Sequence, residues 1–129
     1  MNTKFVVDDI DLNPLIEAAN ADYDKLKEET KRWKEEEGIS DQTFNMNIMY
    51  EMAERFRNGW SVLPGSKYIK IVHDSSVHCF VVRKDTNKFK KGDILKAASW
   101  STPSLNKARG NVLTGDLSKV LWTGVEYLK

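Results

Sequence analysis

Apolar residues recur at helical spacing through the first half of the chain and at strand spacing through the second. The helical pattern covers residues 13–58. Asn13 and Pro14 make a start signal, with Asn as N-cap and proline at the first helical position. Leu15, Ala19, Leu26, Thr30 and Trp33 then follow at steps of three, four or seven, along one narrow stripe. The opposite face is charged, and Glu28 stands four residues before Arg32, where the pair supports a helix. Gly38 interrupts the pattern. Ser40 or Asp41 is placed to cap a second helix, with Ile39 as its hydrophobic staple. That helix carries a stripe of Phe44, Ile48, Met49, Met52 and Phe56, and Asn58-Gly59 is its stop. The expectation is an αα-hairpin whose first helix outruns its apolar stripe, so that its charged end projects from the body. Met46, Met49 and Met52 could form an adaptable docking face, but at this spacing core packing is the simpler reading.

Beyond the turn signal Leu63-Pro64-Gly65 the period changes. Residues 67–73 alternate and are β-branched, Asp74-Ser75-Ser76 reads as a turn, and residues 77–83 read as a strand buried on both faces near its middle. Residues 84–88 are polar and turn-like. Gly92-Asp93 precedes a third strand over residues 94–100. A long irregular stretch follows, over residues 101–111. Val112-Leu113 is a candidate short strand before the Gly115-Asp116 turn, and residues 119–123 and 125–128 close the chain as strands. The opening Lys4-Phe5-Val6-Val7 can add a further strand. This grammar predicts an α+β fold, with an N-terminal helical hairpin packed on a small antiparallel β-sheet or partly open β-barrel. It is read as a single domain over 1–129, helical over 1–63 and β-rich over 64–129.

Length agrees with one core, since 129 residues is an ordinary domain size. No apolar run approaches the ~18 residues that span a bilayer, and the opening residues lack the basic and apolar regions of a secretory signal. The single Cys fits a reducing compartment, so a cytoplasmic location without membrane contact is expected. Charge adds more. A net charge of +1 hides a polar chain: residues 1–65 hold 14 acidic and 8 basic side chains, residues 66–129 hold 5 acidic and 12 basic. Such asymmetry marks a surface for an anionic partner, unless the two halves neutralise each other.

The irregular stretch 101–111 is the leading candidate for a site, because long aperiodic loops in small domains are often functional. Arg109, Gly110 and Asn111 combine a rigid cation, a permissive backbone and an amide, which suits a phosphate, carboxylate or nucleotide. Trp100 at the loop entry offers a stacking face. Arg83, Lys84, Lys88, Lys90, Lys91 and Lys96 surround Phe89, the pattern of basic side chains and aromatics used by binders of single-stranded nucleic acid. The structural alternatives are a scaffold loop with Arg109 paired to a carboxylate, Trp100 in the core, and lysines that only protect sheet edges. His73, His78 and Cys79 are close in sequence, but neighbouring strand residues 78 and 79 point to opposite faces and no fourth ligand follows, so no metal site is expected. No P-loop, G-x-S-x-G or G-x-G-x-x-G is present, and His73, Asp74 and Ser75 are merely adjacent, so neither enzyme nor cofactor chemistry is indicated.

The run from Lys88 to Leu95, the Ala-Ala-Ser-Trp step at residues 97–100, Pro103, the Ala-Arg-Gly-Asn element at residues 108–111 and the closing Trp122-Thr123-Gly124 resemble a group of small uncharacterised proteins of tailed, mainly marine, bacteriophages. The resemblance covers residues 67–128. It implies a phage origin and action in the host cytoplasm, and no particular activity. Together these readings lead to a non-enzymatic accessory protein that binds nucleic acid or a nucleotide through its basic half, with Arg109, Asn111, Trp100, Lys90, Lys91 and Lys96 as site residues. Alternatives are docking on a host or virion protein through the acidic helical half, and an enzyme of unrecognised class. The narrow stripe of the first helix also permits a homodimer.

Overall fold

Helix α1 (Asn13–Glu36) starts on a polar clasp. Asp11 accepts hydrogen bonds from the backbone N–H and the side-chain amide of Asn13, at 3.0 and 2.7 Å. The capping position itself is Leu12, which makes no side-chain cap, so the capping carboxylate lies two residues before the predicted Asn13. The computed structural model describes residues 3–127. A short hairpin, β1 (Val6–Val7) with β2 (Ile10–Asp11), precedes the helix. The opening valines therefore pair with β2 and not with the main sheet.

The helix stops at Gly38, whose φ of +63° is a left-handed conformation that glycine adopts without strain. Ser40 begins no helix. Its carbonyl accepts from Thr43 and Phe44, closing one isolated turn. Helix α2 (Met46–Arg57) begins only after Asn45, whose side chain accepts from the Asn47 N–H at 2.9 Å. This later start corrects the predicted cap and turns the buried stripe to Met46, Met49, Ala53 and Phe56. Ile48, Met52 and much of Leu26 and Trp33 face solvent. Burial on α1 ends at Tyr23, as the length mismatch predicted.

The main sheet is antiparallel, in the order β3 (Trp60–Pro64), β4 (Tyr68–His73), β5 (Ser76–Val82) and β6 (Ile94–Leu95). β3 went unread in the sequence because Pro64 and Gly65 dominate that stretch; a proline is tolerated at the end of this edge strand. β6 is far shorter than the predicted 94–100, and β7 (Val120–Leu121) pairs separately with β8 (Gly124–Val125). Leu128, in the last predicted strand, lies outside the described residues. Among the described residues the strands form one four-stranded and two two-stranded antiparallel sheets and no closed barrel, within the α+β fold expected.

Strand alternation divides the core in two. Ile69, Ile71, Cys79, Val81 and Ile94 face the helices, where they meet Leu15, Ile16, Ala19, Tyr23, Ala53 and Phe56. Phe80, Val82 and Leu95 face the other way and are covered by Phe89 from a loop. Residues 79–82 are thus buried on both faces, as their unbroken apolar run predicted. Each buried aliphatic side chain removes apolar surface from water at roughly 25 cal/mol per Å². Trp60 adds a polar tie across this core, donating to Asn20 on α1 at 2.9 Å.

Candidate nucleic-acid interface

The face of the sheet turned away from the helices carries both aromatic and basic side chains. Cross-strand register sets Leu63 beside Lys70, Lys70 beside Phe80, and Phe80 beside Leu95. Lys70 therefore stands in a row otherwise apolar, on a strand that is paired along both edges. Tyr68, two residues earlier, shares its face and touches Phe80 edge-on at 6.4 Å.

Two loops wall this face. In the first, Thr86 accepts from Phe89 through its side chain and donates its N–H to the Phe89 carbonyl, at 2.9 and 2.8 Å. That turn drives Phe89 into the core and leaves Lys84 and Lys88 outside. In the second, Ala98 and Ser99 donate to the Thr102 carbonyl, and the Ser99 and Thr102 hydroxyls lie 2.8 Å apart. Trp100 occupies the tip of this turn and is 50% exposed. The ammonium of Lys70 sits over its ring, 4.3 Å from the centroid.

Between the walls lie two adjoining depressions of about 490 and 420 Å³ that share Ser66, Lys67 and Tyr68. Lys84, Lys88 and Phe89 line the first, Lys70 and Ser101 the second. Among the described residues no ion pair neutralises Lys67, Lys70, Lys84 or Lys88. Asp85 is the one carboxylate in the lining, and it accepts the Lys91 N–H at 2.7 Å. The groove therefore offers cations and ring surface side by side.

The residues singled out from the sequence are distributed differently. Arg109 is 3% exposed and turned inward. It donates to the carbonyls of Glu126 and Lys107 and to the Asn106 side chain, so it binds the loop to the end of the chain. Asn111 is equally committed. Its amide donates to Lys91 O and Asp93, and its oxygen accepts from Leu113 and Thr114. Around it, Arg109 donates to Ile94, Ile94 to Gly110 and Val112 to Gly92, so residues 109–112 run alongside β6 like a further strand. Arg83 and Lys91 are paired with Asp8 and Asp9 of the β1–β2 turn, whose carboxyls are held below their ordinary range by those hydrogen bonds. Part of the charge asymmetry is thus neutralised between the two halves. Lys96 donates to Val125 O and covers the Tyr127 ring at 3.8 Å. Lys90 is exposed. None of the six lines the two depressions; Trp100 alone borders them, beside Ser101 and under the Lys70 ammonium.

Lys67, Tyr68 and Lys70 were missed, though the sequence carries their signal. In Lys-Tyr-Ile-Lys-Ile the aliphatic residues alternate with polar and aromatic ones, which announces a second, solvent-facing side.

His78 and Cys79 depart from strand alternation. The β4–β5 register slips between Ile71 and Val72, leaving His78 as an extra residue. The bulge turns its ring to the same side as Cys79, with Nδ1 3.2 Å from Sγ. Burial pushes the Cys79 thiol up and His78 down to about 4, so both are neutral near pH 7. Among the described residues no group of three or more His, Cys, Asp or Glu side chains is placed to hold a metal ion, and no helix is long and apolar enough to cross a membrane.

A model for a family of unknown function, DUF7717, matches residues 10–128, and the chain belongs to that family. No curated protein and no solved structure matches it.

Proposed function

We propose that this member of a family of unknown function is a non-enzymatic, phage-type accessory protein that binds single-stranded nucleic acid in the groove between residues 84–89 and 98–102. The observation that carries the reading is the grouping of Lys67, Lys70, Lys84 and Lys88, none ion-paired among the described residues, around Tyr68, with Trp100 at the rim under the Lys70 ammonium. Cations along a backbone track and rings for bases are what a sequence-tolerant single-strand binder requires. Arg109 and Asn111 hold the groove's scaffold in this reading and do not touch the ligand.

The test is a titration with single-stranded and duplex oligonucleotides at several salt concentrations, followed by tryptophan fluorescence. If three or four lysines each neutralise a phosphate, log affinity falls against log salt with a slope of about −2 to −3. Replacing Lys67 and Lys84 by Ala flattens that slope. No binding at low salt, or a slope indifferent to these lysines, refutes the proposal.

Docking on a host or virion protein through the helical half is the second reading. It is favoured by the exposed Trp33, Ile48, Tyr50 and Met52 on the two helices. Because α1 shares its core with the sheet, the test uses Ile48→Ser with Met52→Ser in the full chain. Partner capture that these changes abolish, and that the lysine variants leave intact, supports this reading over the first.

A further inference from the structure

Resting on the nucleic-acid reading, we infer that Trp100 is the platform for one unpaired base and that Lys70 is a latch occupying that platform until a phosphate draws it away. The argument begins with the ring. Trp100 is half exposed at the tip of a turn fixed by Ser99 and Thr102. The turn that carries its indole is therefore tied at its base by hydrogen bonds. Lys70 lies across it at 4.3 Å, on a strand paired along both edges. A cation–π contact of this kind is favourable but readily exchanged at an exposed site.

Exchange is the point. Among the described residues no carboxylate holds the Lys70 ammonium, so a phosphate can take it without breaking an ion pair. The departing ammonium uncovers a flat apolar surface beside the phosphate it has joined. A nucleotide in a single strand supplies both groups at once: the phosphate for Lys70 and an unstacked base for Trp100. A duplex supplies the phosphate alone, because its bases are already stacked. The latch thus converts a general anion-binding groove into one that prefers single strands, with any base accepted because every base has a π face.

The experiment uses the full chain, its Trp100→Leu and Lys70→Met variants, an oligothymidylate, and an abasic oligomer with the same number of phosphates. Oligothymidylate is expected to bind more tightly than the abasic oligomer by about 5- to 150-fold, the usual worth of one stacked base. Trp100→Leu removes that preference and, because it frees Lys70 for phosphate, does not weaken abasic binding. Lys70→Met alters tryptophan emission before any ligand is added and flattens the single-strand salt slope by about 0.7. Equal binding of the two oligomers, with no effect of Trp100→Leu, overturns the stacking inference and leaves the groove reading standing. Absence of binding by either oligomer overturns both.

Discussion

Acid should destabilise this protein in large part through one buried imidazole. His78 is 4% exposed, donates from Nε2 to the Leu121 carbonyl at 2.6 Å, and presents Nδ1 to the Cys79 thiol. Burial lowers its pKa from 6.5 to about 4, against the smaller opposing effect of the Leu121 hydrogen bond. The sign follows from proton uptake. Between pH 6.5 and 4 the unfolded chain binds a proton that the folded chain refuses, so stability is complete above this window and falls as pH descends through it. Two and a half pKa units correspond to about 3 kcal/mol below pH 4, and about 2.5 kcal/mol of that is lost by about pH 4.5. This is a large fraction of the ~5–15 kcal/mol that stabilises an ordinary domain. His78→Gln keeps an amide N–H for Leu121 and cannot be protonated. Urea unfolding of both proteins, from about pH 7.5 to 4.5, isolates the imidazole. The loosening of Asp8 and Asp9 in acid is common to both and cancels in the difference. Parallel stability curves for the two proteins would refute the reasoning.

Other substitutions test the scaffold. Gly110 has φ +143° and an added Cβ would overlap the Asp116 carbonyl, so Gly110→Ala is expected to cost about 3 kcal/mol, read as a fall in thermal midpoint. Arg109→Ala leaves the Glu126 and Lys107 carbonyls without their donor, and should cost about 2–4 kcal/mol in urea unfolding while leaving the salt slope of oligonucleotide binding unchanged. Trp60→Phe strands the Asn20 side chain in the core; a loss of about 1–3 kcal/mol in urea unfolding is the expected outcome.

Much of this fold is legible in the sequence, and the failures have identifiable causes. Period-2 alternation located β4, an unbroken apolar run located β5, and the mismatch between the length of α1 and its stripe anticipated its exposed end. The start of α2 was misread because Ser40 and Asp41 are good caps for a turn as well as for a helix, and the residue that caps this helix is Asn45. The site residues were harder. A cation followed by Gly and Asn resembles a ligand loop, and nothing local shows that Arg109 will meet Glu126 or that Asn111 will meet Lys91 and Asp93. Those partners are distant in the chain and are brought near by the path of residues 109–112 beside β6. Trp100 and the lysines of the 84–88 turn were visible because exposure, unlike partnership, is written in local polarity.

The tie between the helix and the last hairpin has a consequence for synthesis. Trp122 donates its N–H to Asp22 at 2.9 Å across 100 residues, and Tyr23 meets the Trp122 ring edge-on. At about 5–20 residues per second, the ribosome needs roughly 5–20 s to deliver that partner after α1 has emerged. For the first part of that interval, until residues 60–95 have followed, Leu15, Ile16, Ala19 and Tyr23 have no sheet to cover them, and the last of their cover comes with β7 and β8. The nascent helical hairpin is therefore the stretch that a cell's holding chaperones would meet first, and release from them would begin once the main sheet has been made.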